Sequence, residues 1–454
     1  MTLRNILLAG AALGGAALLA VPAQAGSSNT DLEALKQQIN ALQQKVDDLA
    51  VDQGNRIKDL ESRQSDVIVS MKKGAPTFST ADGAYTLSIT GRMFLDVGAY
   101  SGIGDNERSL IGQSAAQGNA TFRSVQLGAK GTFAKDWGYK IVFDFAKNNP
   151  SLYEASLHYK GVKNVDFVIG AIQPKLTLDD STSANDIMFM ERAAANNMMT
   201  GIGAGAGRMA AGVTGHTDNV FAAAYYTMDS KGSNDDYTNQ NALGRVAVAF
   251  HPSEASTLHL GASGTYAFDT TNDSYTFSNR SELRIDGGSL KTLNTNSISN
   301  VEHMAAYGPE AAFAYGPVKA QAEYYAYDVS RGNGFADANF DAWYVAASWV
   351  ITGESYKYDI KKGAFKGVTP ANPLVSGGGY GAFELGARYS EADFNDGTII
   401  GGKQNVWTVG LNWYPNSNIR FMLDYGMVDV EDYGQTVGQD LKFDQVGLRT
   451  QFRF

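Results

Sequence analysis

The chain has 454 residues, a net charge of −10, 44% hydrophobic residues, 50 Gly, 22 Phe, 23 Tyr and 5 Trp. It has no cysteine, which rules out a disulfide framework and thiolate metal sites, and its acidic balance speaks against a nucleic-acid partner. Gly, Tyr and Phe in these numbers favour many short strands and turns over helices.

The first stretch, MTLRNILLAGAALGGAALLAVPAQA, has Arg4 as a short basic region, an apolar run from Ile6 to Val21, and Ala23-Gln24-Ala25 as an A-x-A cleavage site. Residues 1–25 therefore read as a cleaved Sec signal peptide. A membrane anchor is the other reading, which the short Gly-rich run and the cleavage signal disfavour. After Val21 no apolar stretch approaches the ~18–20 residues a spanning helix needs. An exported chain of this kind is periplasmic, or it crosses a membrane with strands.

Residues 26–70 form a second part. Leu32, Leu35, Ile39, Leu42, Val46 and Leu49 alternate spacings of three and four, and Leu60 and Val67 keep the phase. That is a heptad seam, and it predicts a short coiled-coil helix over 31–67. About four heptads support an oligomer rather than create one. A solitary amphipathic helix lying on the mouth of the following domain fits the same seam.

From Ala84 the period changes to two. Tyr85, Leu87, Ile89, Met93, Leu95 and Val97 share one face, and Thr86, Ser88, Thr90, Arg92, Asp96 and Tyr100 the other. The division recurs in YKIVFDF, YEASLHYK, VKAQAEYYAY, FELGARYS, WTVGLNW and IRFMLDY. An antiparallel sandwich alternates as well. Aromatics bracket the apolar faces at both ends, as in Trp407 and Trp413, where the interface girdles of a membrane barrel sit. The polar faces mix charges of both signs with small residues, which a wet lumen tolerates and a packed core does not. The expected fold is all-β, a 16-stranded antiparallel transmembrane β-barrel over 84–454 behind a coiled-coil helix. Its strand centres lie near 92, 126, 142, 156, 169, 211, 223, 246, 262, 311, 322, 345, 386, 410, 422 and 449. Two connections, 173–207 and 353–379, are too long for simple loops and are expected to fold into the lumen and narrow it. The ending, VGLRTQFRF, puts Val446, Leu448, Thr450, Phe452 and Phe454 on one face, as a closing strand with a lipid-facing last residue would.

Bases on the polar phase are Arg92, Lys130, Lys140, Lys160, Arg245, Lys319, Arg388, Arg420, Arg449 and Arg453, against the acids Asp96, Asp144, Glu154, Asp166, Glu323, Glu384 and Asp424. Arg123 is an exception, near the rim on the apolar phase. Each lumen Arg has two readings, a cross-strand strut or an anion contact, with Arg92–Asp96 and Arg420–Asp424 as plausible struts. Lys357, Lys361, Lys362 and Lys366 form a second cationic cluster in 353–379, where an ordinary solvated turn is the alternative. Acidic stretches at 104–107 and 391–396 are candidates for divalent ions or lipopolysaccharide.

GRMFLD (91–96), FMERA (189–193), ASWVITGESYKYDIKKGAF (347–365), GAFELGARYSEADFNDG (381–397) and WTVGLNWYPNSNIRFMLDY (407–425) resemble the phosphate-selective porin O/P family over residues 84–454. The resemblance implies a homotrimeric channel in the bacterial outer membrane, in contact with lipid and lipopolysaccharide. An arginine ladder would lead small anions, phosphate and pyrophosphate among them, to a constriction, and lysines would draw them onward. The family's motifs match Arg92, Asp96, Arg192 and Arg388. Asp179-Asp180 departs from the apolar-aromatic stretch common there, which weakens a strict phosphate preference. With Arg245, Arg420, Arg449, Lys357, Lys361 and Lys362 these are the expected pore-lining residues; no cofactor or metal is expected. A general or organic-anion diffusion porin is the runner-up. The five histidines fall on different elements without H-x-x-x-H spacing, so a lumenal His/Asp hydrolase ranks third.

Overall fold

The computed structural model describes residues 29–64, 67–72, 74–104, 108, 111, 118–147, 149–230, 239–270, 273–285 and 290–454. The expected signal peptide lies outside them, as do 105–107. The chain divides into two units, residues 1–66 and 67–454. Among its described residues the first carries one helix, α1 (Asn29–Gln64). Its seam residues Leu35, Ile39, Leu42, Val46 and Leu49 are all exposed, Leu42 by 62%. The helix ends before Val67, because the β-branched run Val67, Ile68, Val69 favours extended backbone.

The second unit opens with a hairpin that the periodicity left unassigned, β1 (Ile68–Lys72) and β2 (Ala75–Ser79). It is followed by β3 (Thr86–Ser101), β4 (Asn119–Phe133), β5 (Trp137–Asp144), β6 (Ser151–Tyr159), β7 (Val165–Ile172) and β8 (Arg208–His216). Next come β9 (Val220–Ser230), β10 (Gln240–Ser253), β11 (Ser256–Asp269), β12 (Val301–Tyr315) and β13 (Val318–Arg331). The series ends with β14 (Ala338–Val350), β15 (Ala382–Asp396), β16 (Ile399–Tyr414), β17 (Ile419–Glu431) and β18 (Leu441–Arg453). From β3 each strand pairs antiparallel with the next, and β18 returns to β3 from Asp444↔Ser101 to Arg453↔Arg92. The barrel is closed, with sixteen strands, and every expected strand centre falls inside one of them. Below the end of β18, β2 pairs with the overhang of β3, Thr77↔Ser88 to Ser79↔Thr86.

The outer surface is an apolar belt. Leu127, Ile141, Ile169, Val345, Leu411 and Leu448 are among its exposed side chains, more than a water-soluble surface carries in one contiguous zone. Trp349, Phe383 and Trp413 edge it on one side, with Phe383 and Trp413 stacked 6.0 Å apart. Trp343, Tyr389 and Trp407 edge it on the other, at 5.3 and 4.8 Å between neighbours. Two aromatic rows separated by aliphatic side chains are the girdles of a membrane-spanning barrel.

Inside, three segments turn into the lumen among the described residues, rather than two. The connection 173–207 turns inward and carries α2 (Leu178–Ser181) and α3 (Ala194–Gly203). Ala194, Ala195, Met198, Met199 and Ile202 of α3 bury themselves against wall residues including Leu243, Tyr325, Tyr327 and Phe340. Segment 353–379 also enters, with Ala364 and Phe365 against Leu178, Ala312 and Ala314. The third, with 273–285 and 290–300 as its described residues, was not expected. Its Phe277, Leu283, Ile285, Leu290 and Leu293 are buried, but they alternate with polar residues and carry no long apolar run.

Candidate functional site

Two bulges decide which side chains reach the lumen. Between β3 and β4 the register passes from Phe94↔Ser124 to Leu95↔Phe122, leaving Arg123 as an extra residue. An extra residue interrupts the two-fold alternation, so Arg123 does not take the apolar phase that counting gives it. It enters the barrel and grips Glu191 of the inserted loop, Nε to Oε1 at 2.7 Å and Nη2 to Oε2 at 3.1 Å. Between β5 and β6 the register likewise skips Tyr153, whose hydroxyl donates to Gln173 Oε1 at 2.9 Å.

Most of the expected arginine ladder serves the inserted segments. Arg449 grips Asp96 with Nε and Nη2, both at 2.7 Å, and donates to Glu191 Oε1 at 2.9 Å and to the Met190 carbonyl. Arg420, 1% exposed, donates to the carbonyls of Ile187 (2.7 Å) and Met188 (3.1 Å). Arg388 donates to the Glu191 carbonyl (2.9 Å) and to Glu282 Oε2 of segment 270–300 (2.5 Å). Arg245 binds Glu310 (2.7 Å), Ser181 Oγ (2.8 Å) and the carbonyls of Lys362 (3.0 Å) and Gly363 (2.6 Å). Loop carbonyls taken into a lumen without a strand partner must still be satisfied, and the five donors of a guanidinium suit that task. The two struts read from sequence are therefore not formed. Asp96 goes to Arg449, and Asp424 accepts the Met190 N–H at 2.7 Å. The space beside Arg388, lined also by Lys319, Gln321 and Tyr344, is about 20 Å³, room for a water molecule.

Arg192 braces its own loop through the carbonyls of Asp179 (3.1 Å) and Thr182 (2.8 Å). Glu391 and Asp393, candidates for divalent-ion or lipopolysaccharide contact, both reach Lys403, at 3.0 and 3.5 Å. Lys357 and Lys361 stay exposed on their segment.

A second set of cationic side chains lines the inner face of β3 to β8. Arg92 is half-buried there, with its guanidinium over the rings of Phe94 and Tyr153 at 5.0 and 5.4 Å and its Nε on Ser124 Oγ at 3.1 Å. Further along, Lys130 of β4 lies within electrostatic reach of both Lys140 of β5 and Lys362 of the segment entering from the other end. Lys175, at the start of the inserted loop, faces Lys140 and Lys362 as well. Burial holds its ammonium below the usual lysine range, although Asp180 beside it acts in the opposite sense. Strand alternation cannot find Lys175, because it lies beyond the end of β7; its place in a connection already expected to turn inward was the available signal. The acids on this face are engaged: Glu154 with Lys140, Asp166 with His158 and Lys160, and Asp144 with Ser124, Gln126 and two backbone N–H groups.

The model of the family described as phosphate-selective porin O and P matches residues 88–454. The chain belongs to that family. Porin O of Pseudomonas aeruginosa is 25% identical over 407 residues, covering 82% of this chain and 90% of that one. An uncharacterized protein of Caulobacter vibrioides is 29% identical over 368 residues, 79% of this chain and 71% of the other. Among solved structures, a loop-deleted OmpT of Vibrio cholerae has a TM-score of 0.51 at 13% identity, covering 82% of this chain and all of its own. OprB of Pseudomonas putida has a TM-score of 0.50 at 10% identity, over 82% and 95%. These two share the fold. As a porin O/P member with a closed, lipid-belted barrel, the chain is an outer-membrane porin.

Proposed function

We propose that this porin passes small anions, with phosphate and pyrophosphate the leading substrates, along the inner face of β3 to β8, and that it works as a homotrimer. One observation supports the route above the others. Lys130, Lys140, Lys175 and Lys362 come from four origins, two strands and two inward segments, into one electrostatic neighbourhood, while the described residues give an ion-pair partner only to Lys140. Arg92 and Arg123 lie on the same face toward the other end. Conduction needs several weak sites, since one tight site would block it. Separate ammonium groups, each a compact point charge suited to phosphate, meet that need. The roles sequence assigned to Arg245, Arg388, Arg420 and Arg449 pass in this reading to the anchoring of the constriction.

Asp180 beside Lys175 favours the runner-up, a general or organic-anion porin, because it cancels part of the charge a dianion would feel. Zero-current potentials in a potassium chloride gradient, then phosphate titration of the chloride current, separate the two. Lys175→Gln removes a charge worth about 1–2 kcal/mol in a partly hydrated passage, so phosphate block should weaken roughly tenfold. Potassium preference in the native protein would overturn the anion reading. Chloride preference without phosphate block would leave the general porin.

α1 fits the trimer as a short helical bundle, since copies of its exposed seam would cover one another. The outer surface would contact lipid and lipopolysaccharide.

A further inference from the structure

We infer that His158 is a selectivity-determining residue of this passage, reporting lumenal pH through a hydrogen-bonded chain that ends on Lys140. The inference rests on the anion path proposed above. Asp166 of β7 holds His158 Nδ1 at 3.0 and 3.1 Å. His158 Nε2 is 3.1 Å from Ser156 Oγ, and Ser156 Oγ is 3.1 Å from Glu154 Oε1. The other oxygen of Glu154 takes Lys140. Lys160 stands 3.6 Å from Asp166. Gly138 of β5 lies opposite His158, and a Cβ there would come within 3.3 Å of the His158 Cβ and 3.6 Å of Lys160 Nζ. The charged groups facing the chain are therefore Lys140 of β5, Glu154 and Lys160 of β6, and Asp166 of β7, with Lys130, Lys175 and Lys362 beyond Lys140. The His158 side chain is 22% exposed, so water reaches it.

Ser156 has one hydrogen and two acceptors competing for it. As imidazolium, His158 donates from Nδ1 to Asp166 and from Nε2 to Ser156, whose hydroxyl then donates to Glu154. Every hydrogen in the chain is placed. When the imidazolium gives its Nε2 proton to water, that nitrogen becomes an acceptor and draws the Ser156 hydrogen to itself. Glu154 Oε1 loses its donor at the same moment. One proton released thus removes a positive charge from the path and bares a carboxylate in it, and both changes disfavour anions. The order Ser156, His158, Asp166 is that of a nucleophilic triad, yet the hydroxyl is shared with Glu154 and the strand N–H groups around it are engaged in the barrel ladder. The geometry supports proton sharing rather than hydrolysis.

The test uses the full-length porin in neutral phosphatidylcholine bilayers, with a potassium chloride gradient at pH 5, 6, 7 and 8. Chloride does not titrate there, whereas histidines change charge in this window. The chloride-over-potassium permeability ratio of the native protein should fall about two- to threefold from pH 5 to 8, the scale of one unit charge in a screened aqueous passage. His158→Gln should hold the ratio near the native pH 8 value throughout. Ser156→Ala keeps the imidazole's own charge and loses the link to Glu154, so its span should be smaller than native but not zero. A flat native profile, or a full span in His158→Gln, overturns the role of His158. A full span in Ser156→Ala overturns the relay to Glu154. Potassium preference at every pH would instead sink the anion path beneath the proposal, a result distinct from the others.

Discussion

Arg123 shows how much one residue of register is worth. Counted by twos it faces lipid at the rim, where its removal would change nothing; through the bulge on β4 it enters the lumen and holds Glu191. Burial would raise the Glu191 carboxyl, but the Arg123 and Arg449 guanidiniums outweigh it and hold it below the usual carboxylate range. A carboxyl so depressed stabilises the folded loop fully at pH above its ordinary range, and that contribution is lost as pH falls through the lower folded value. Arg123→Ala leaves Arg449 in place, so the cost should be about 1–3 kcal/mol, the loss of one charged hydrogen-bonded partner. It should appear as larger current fluctuations at neutral pH in single-channel recordings, and the pH at which acid loosens the loop should rise. Native-like noise from pH 7 to pH 3 would mean that the tie does not restrain the loop.

Among the elements, α1 and the β1–β2 hairpin divide the labour of the N-terminal part. The hairpin hydrogen-bonds the overhang of β3 and belongs to the barrel. The helix exposes its apolar seam along its length and forms the separate unit ending at residue 66. Deleting residues 31–67 should therefore leave single-channel conductance unchanged and at most lower the temperature at which oligomer bands dissociate on a gel. A changed conductance would place the helix in the ion path. The heptads were legible because a helical period is local. The hairpin was not: five-residue strands are too short for alternation to stand out, and β2 is explained only by the pairing it makes with β3.

At the scale of the whole molecule, Phe454 takes part in closing the barrel. The Phe454 N–H donates to the Gly91 carbonyl at 3.0 Å, and the Gly91 N–H to the Phe454 carbonyl at 3.2 Å. Gly91 makes this possible, since a Cβ there would stand 2.6 Å from the Phe454 ring. Removing Phe454 loses the final pair of the closing ladder and uncovers part of the seam on the lipid side, where unpaired backbone groups cost several kcal/mol each. Assembly should suffer before conduction does: the amount of heat-modifiable barrel in outer membranes should fall several-fold, while the molecules that insert conduct normally. Native amounts from the truncated chain would show that the seam closes without it.

Sequence by itself determined the barrel: the number of strands, the lipid face of each away from the bulges, and the long inward connections 173–207 and 353–379. These follow from a period of two and from the cost of charge in hydrocarbon, both readable within ten residues. Tertiary structure alone decided what each lumenal charge does. Arg449 meets Asp96 and Met190, Arg420 meets Ile187, and Arg245 meets Gly363, partners more than a hundred residues away whose meeting depends on how three segments pack into one lumen. A guanidinium held by loop carbonyls and one open to passing anions look alike in a strand pattern. Single-residue bulges add a second ambiguity, because they reverse the alternation without changing the composition. The lysine cluster and the His158 chain became visible only once the arginines had been spent on the loops.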